Sequence, residues 1–90
     1  MKHIALFLLI SFLAISSCNS QSVRKLIKRG IEKTTSKDYK GALIEFDKAI
    51  SKDSNSVTAH LKRGWAKTLL LDPKGAMDDF NRALKIKPDN

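Results

Sequence analysis

The sequence predicts an all-α chain in which a short apolar leader precedes two copies of one helix-turn-helix unit. Two observations carry that expectation. Apolar residues from Val23 onward recur at spacings of three and four, the signature of amphipathic helices. The stretch 23–56 also lies in register over 57–90 at a period of thirty-four residues. A third observation sets what must hold the fold together: Cys18 is the only cysteine, so no disulfide can staple the chain, and a domain this small has to rely on regular helix packing.

The leader comes first. Lys2 supplies a positive start, Ile4 to Ile15 is apolar but for Ser11, and the run breaks at Ser16, Ser17 and Cys18. Such a stretch falls short of the ~20 residues that span a bilayer, so a cleaved signal peptide fits it better than a retained transmembrane anchor. The junction Ile15-Ser16-Ser17-Cys18 resembles the lipobox of bacterial lipoproteins, in which an aliphatic residue and two small ones precede an obligatory cysteine. The resemblance implies that 1–17 is a lipoprotein signal peptide, that Cys18 becomes the lipidated first residue of the mature chain, and that 18–22 is its tether. The thiol matters because its thiolate takes up the diacylglyceryl group. Each buried acyl methylene is worth about 0.8 kcal/mol, so two or three palmitate-length chains anchor a protein almost permanently. Asn19 is not the aspartate that resembles an inner-membrane retention signal, and the junction selects a cell envelope without choosing its inner or outer membrane.

Loss of Lys2 with the leader takes the formal charge from +8 to +7, and the excess sits early. Between Arg24 and Lys40 lie Arg24, Lys25, Lys28, Arg29, Lys33, Lys37 and Lys40 against only Glu32 and Asp38. That run reads either as a solvated helix face or as a surface for anionic lipid or an acidic protein.

In the first unit, Val23, Leu26, Ile27, Gly30 and Ile31 mark the apolar stripe of one helix, and Tyr39, Ala42, Leu43, Phe46, Ala49 and Ile50 that of the next. The second unit repeats them with Val57, Leu61, Gly64, Trp65 and Leu69, then Ala76, Met77, Phe80, Ala83 and Leu84. Asp38 and Asp72 stand where a side-chain oxygen can cap the second helix of each pair. Pro73 takes the first helical position, where a missing N–H costs little, and Pro88 stops the last helix. Twelve pairs are identical at this register, among them Gly30 with Gly64, Asp38 with Asp72, Ala42 with Ala76, Phe46 with Phe80 and Ala49 with Ala83.

A thirty-four-residue helix-turn-helix with small and aromatic residues at these places resembles the tetratricopeptide repeat. The resemblance implies two units, 23–56 and 57–90, stacked as a short right-handed α-solenoid. In that family a small residue of the first helix faces an alanine of the second, which matches Gly30 with Ala42 and Gly64 with Ala76. The family's aromatic falls on Phe46 and Phe80, and its closing proline on Pro88. Ser54 replaces the proline of the first unit, Lys37 and Leu71 replace the usual interhelical glycine, and His60 stands where the family has a large apolar residue. These departures are expected to blunt the turns and weaken the first unit.

Arrays of this family bind partner segments in a groove lined by their first helices. The resemblance places Arg24, Ile27, Ile31 and Thr34 of the first unit there, with Thr58, Leu61, Trp65 and Thr68 of the second, rimmed by Lys28 and Lys62. Such a floor suits an apolar segment carrying acidic groups, while Trp65 at helical spacing can equally pack between helices. Ile27 and Ile31 occupy positions needed by the family's carboxylate clamp, so that clamp is not expected. Two units leave the last helix without a cap, and exposed Met77, Phe80, Leu84 and Ile86 predict self-association, docking to a partner, or a shortened member of a longer array.

No catalytic pairing surrounds His60, the one histidine left after the leader, and an enzyme is not expected. Asp78 and Asp79 read as helix-dipole partners near the start of the last helix and not as a metal site, which wants more oxygen ligands. No cofactor is implied. Nucleic acid would suit the charge, but an exported, tethered chain seldom meets it. The function these readings point to is a membrane-anchored adaptor that binds protein partners at the bacterial cell envelope. The alternative is a fragment of a longer repeat protein with no independent role.

Overall fold

In the computed structural model, residues 22–86 are described, and they form four α-helices with no strand among them. These are α1 (22–35), α2 (Tyr39–Lys52), α3 (Val57–Leu69) and α4 (Pro73–Ile86). The leader, Cys18 and its tether, and Pro88 lie outside the described residues. No helix among those described is long and apolar enough to cross a membrane.

The turns explain why the helices stop where they do. After α1, the Asp38 amide donates to the Lys33 carbonyl at 2.8 Å and the Lys37 amide to that of Thr34 at 3.0 Å. After α3, the Asp72 amide donates to the Lys67 carbonyl at 2.9 Å and the Leu71 amide to that of Thr68 at 3.0 Å. Both pairs form the Schellman pattern, which satisfies helix-end carbonyls by sending the next residue into the left-handed region. Lys37 (φ 67°) and Leu71 (φ 63°) therefore adopt a conformation that favours glycine. The turns are closed by hydrogen bonds and not blunted, and the departure from glycine appears as backbone strain instead. Leu71 is also 88% exposed, so its side chain returns little packing. A left-handed non-glycine residue costs about 1–2 kcal/mol and glycine loses roughly 0.5–1 kcal/mol more entropy on folding. Leu71→Gly is thus expected to stabilise the fold by about 0.5–1 kcal/mol, seen as a higher thermal midpoint by circular dichroism. An unchanged or lower midpoint would show that the strain is carried elsewhere.

Each new helix starts on a side-chain cap. Asp38 accepts from the Gly41 amide and Asp72 from the Gly75 amide, both at 3.0 Å, and Ser56 accepts from that of Ala59 at 3.2 Å. A β-carbon at Gly41 or Gly75 would overlap the capping carboxylate, so the repeated Asp-x-x-Gly spacing makes room for its own cap. Between α2 and α3, where Ser54 stands in place of proline, the Asn55 amide donates to Asp53 Oδ1 at 3.1 Å. Buried His60 meets the Ser54 carbonyl through Nε2 at 2.9 Å. His60 replaces apolar packing with a hydrogen bond that fastens the loop.

The core falls into two clusters, of which one is centred on Phe46. Ala42, Phe46 and Ala66 form one buried cluster joined by Ile27 and Leu43, and Val23, Leu26, Ala49 and Ala59 form another joined by Ile27 and Ile50. α3 packs on both α2 and α4. Ala49, Ala59 and Ala66 are wholly buried, which lets helix backbones approach closely. Within each pair the aromatic ring sits against the glycine of the preceding helix, Phe46 on Gly30 and Phe80 on Gly64.

Candidate functional site

The eight residues assigned to a groove come from α1 and α3, and the structure sets most of them side by side. Arg24, Ile27, Ile31 and Thr58 line a depression of about 540 Å³ with Lys28 and Glu32. Thr58, Leu61 and Trp65 line a second, of about 470 Å³, with Lys62 and Phe80. Ile31, Thr34 and Trp65 line a third, of about 210 Å³, whose walls include Phe46 and Lys62. Shared residues join the three: Thr58 links the first to the second, Ile31 the first to the third, and Trp65 the second to the third. Thr68 lines none of them; its hydroxyl donates to the Gly64 carbonyl at 3.0 Å, as that of Thr34 does to Gly30 at 2.8 Å.

Helical spacing explains why these side chains point together: Leu61, Trp65 and Thr68 fall three and four apart on one face of α3, as Ile27, Ile31 and Thr34 do on α1. Ile27 packs on the core, while the large apolar side chains beside it meet solvent. Ile31 is 39%, Leu61 43% and Trp65 56% exposed. Trp65 is therefore not a residue packed away between helices. Arg24, Lys28 and Lys62 bring positive charge to the strip, and Glu32 adds one acid that the groove reading did not include.

The opposite side of α3 carries an ion-pair network that sequence reasoning missed. Arg63 donates to Asp79 through Nε to Oδ2 at 2.9 Å and through Nη2 to Oδ1 at 2.6 Å, while Nη1 donates to Asp47 Oδ1 at 2.9 Å. Lys67 Nζ lies 3.1 Å from Asp79 Oδ2, and His60 Nδ1 lies 3.9 Å from Oδ1, buried and without a hydrogen-bond partner. Arg63 so ties α2, α3 and α4 together. Burial pushes the Asp79 carboxyl up, but hydrogen bonds from Arg63 and Lys67, reinforced by their charge, outweigh it and hold its pKa below the ordinary aspartate value. The hydrogen bond to Asp79 raises Arg63, against the opposing effect of burial and with further help from Asp47.

Asp79 is therefore not a surface carboxylate answering the helix dipole: it is 3% exposed and turned inward, unlike exposed Asp78. A signal for it exists in the repeat. Arg29 with Lys33 and Arg63 with Lys67 recur at the same spacing, and Glu45 and Asp79 place an acid at the same position of each second helix. The first unit does not complete the network. Arg29 is exposed, Lys33 turns to Asp38 at 3.6 Å, and Glu45 Oε2 is buried without a partner.

No known family's model matches the chain, and comparison with curated proteins finds no relative. The strip on α1 and α3 and the Arg63 network are thus argued from their own geometry.

Proposed function

We propose that the chain is a lipid-anchored adaptor of the bacterial cell envelope. In this reading it is a short tetratricopeptide-type solenoid that takes a segment of a partner protein along α1 and α3. The observation that carries the reading is the solvated apolar strip of Ile31, Leu61 and Trp65, joined through adjoining depressions. Leaving about half of each side chain in water forgoes part of the ~1.5–3 kcal/mol that full burial of a large apolar side chain is worth, and a contiguous patch of this kind is a recurrent feature of binding surfaces. Trp65 supplies the large, stiff anchor that dominates many interfaces, and Arg24, Lys28 and Lys62 favour a segment with acidic groups beside its apolar ones. Cys18, lipidated as its lipobox-like junction implies, would hold this strip at the membrane and raise the local concentration of what it binds.

A photo-crosslinking residue at position 65, introduced in cells, tests the groove. Discrete adducts are expected, lost on Leu61→Glu and retained on Ile44→Glu, a change at an exposed apolar residue away from the strip. In the same cells a fatty-acid probe should label the wild-type chain and not Cys18→Ala. Adducts indifferent to Leu61→Glu would overturn the groove, and labelling that survives Cys18→Ala would overturn the tether.

A further inference from the structure

Among the described residues, the two units differ at equal register in one surface that nothing covers. On α2, Leu43, Phe46 and Ile50 pack into clusters that contain Ala66 and Ala59 of α3. Their register partners on α4 are Met77, Phe80 and Leu84. Phe46 is 1% exposed, whereas Met77 and Leu84 are each 58% exposed, with half-buried Phe80 between them.

The opposite end of the stack is built differently. Where α3 offers Ala59 and Ala66 to α2, α1 carries Lys25 and Glu32, both exposed. A head-to-tail contact would press those charges onto Met77 and Leu84 and strip their water without returning a partner. A second copy meeting α4 with its own α4 avoids this.

Charge on α4 favours one orientation. Asp78 and Lys85 stand seven residues apart, two turns along the same flank of the apolar stripe. An antiparallel pair about a twofold axis near Phe80 and Asn81 brings Met77 toward Leu84 of the second copy and Asp78 toward its Lys85, twice over. It also opposes the two helix dipoles. A parallel pair, with its twofold along the helices, would place these flanks on opposite sides of the seam and form neither Asp78–Lys85 pair. We infer that two copies of this chain associate through α4, packed antiparallel on α4 with Met77, Phe80 and Leu84 as the buried stripe. This is an isologous contact, which closes at two copies. A helix of this length spans about 21 Å, and one helix pair buries less than the ~1,200–2,000 Å² of stable interfaces. The dimer is therefore concentration-dependent.

Oxidative crosslinking of the full chain tests this pairing, because a cysteine beside a twofold axis meets its own copy. Asn81→Cys is expected to give a disulfide dimer well above the wild-type background, and Lys25→Cys on α1 and Lys48→Cys on α2 to remain at background. Asp78→Lys or Lys85→Asp alone should lower dimer affinity by about tenfold, and the double exchange should restore it, with helicity unchanged in all three by circular dichroism. A mixed adduct between Asn81→Cys and Lys25→Cys chains would establish head-to-tail stacking and overturn the inference. So would Asn81→Cys yields no higher than the controls, or a double exchange as weak as the single ones.

Discussion

Replacing Phe46 with alanine is expected to destabilise the domain by about 3–5 kcal/mol, and the same change at Phe80 by markedly less. Phe46 is the large side chain that the packing encloses: it rests on Gly30, joins Ala42 and Ala66, and keeps 1% of its surface in water. Removing it loses the transfer energy of the ring and leaves a cavity between three helices. Phe80 rests on Gly64 in the same way but borders the open side of α4, so its loss opens a surface and not a void. The glycines report the same difference. A β-carbon at Gly30 would overlap the Phe46 ring, which has nowhere to go; one at Gly64 would come within 2.6–3.1 Å of the Phe80 ring, which can swing outward. Overpacking costs about 1–3 kcal/mol, and alanine returns about 1 kcal/mol of helix propensity. Gly30→Ala should therefore destabilise and Gly64→Ala remain near neutral. Urea unfolding followed by circular dichroism measures both pairs. Equal losses at the two positions would mean that α4 is as well covered as α2. Because the net stability of so small a domain is itself only a few kcal/mol, Phe46→Ala is expected to leave the chain largely unfolded at physiological temperature.

Those positions were legible because they repeat. Gly30 with Gly64, Phe46 with Phe80 and Asp38 with Asp72 are identical pairs, and helical spacing alone fixes the direction of each β-carbon. What spacing does not fix is what the β-carbon meets. Trp65 could have faced a helix or water, and only the packed arrangement, which sets it 56% exposed above Phe46 and Phe80, decides it. Lys37 and Leu71 looked like weak turn residues; their strain is visible only once the Schellman hydrogen bonds are placed. His60 read as a poor substitute for an apolar residue because its acceptor, the Ser54 carbonyl, is backbone and carries no sequence signal. Asp79 misled for the opposite reason. Its place in the first turns of α4 offers a sufficient local explanation, and the deciding partner, Arg63, lies sixteen residues away on another helix.

Arg63→Ala is expected to cost about 3 kcal/mol, near the lower end for breaking a buried ion pair because Lys67 stays beside Asp79. It would leave an almost wholly buried carboxylate with Lys67 alone of its two cationic partners, removing both hydrogen bonds from Arg63, and cut the link from α2 to α4 through Asp47. Arg63→Lys should fall between, since an ammonium cannot reach Asp47 and both oxygens of Asp79 as the guanidinium fork does. Asp79→Asn is expected to cost less, about 1–2 kcal/mol, because the cations it abandons are each about one-fifth exposed and can turn to water. The pH dependence follows from the direction of the shift. Asp79 is held below its unfolded value of about 3.9, so the native chain binds fewer protons there than the unfolded one. Its stabilisation is complete above that value and is lost as pH falls through the lower folded one. Arg63, raised from an already high value, keeps its charge throughout this range. Wild type and Asp79→Asn should therefore differ fully at neutral pH and converge below about pH 4, measured as unfolding midpoints in a pH series. A constant gap into strong acid would show that the carboxylate stabilises the fold through shape and not through charge.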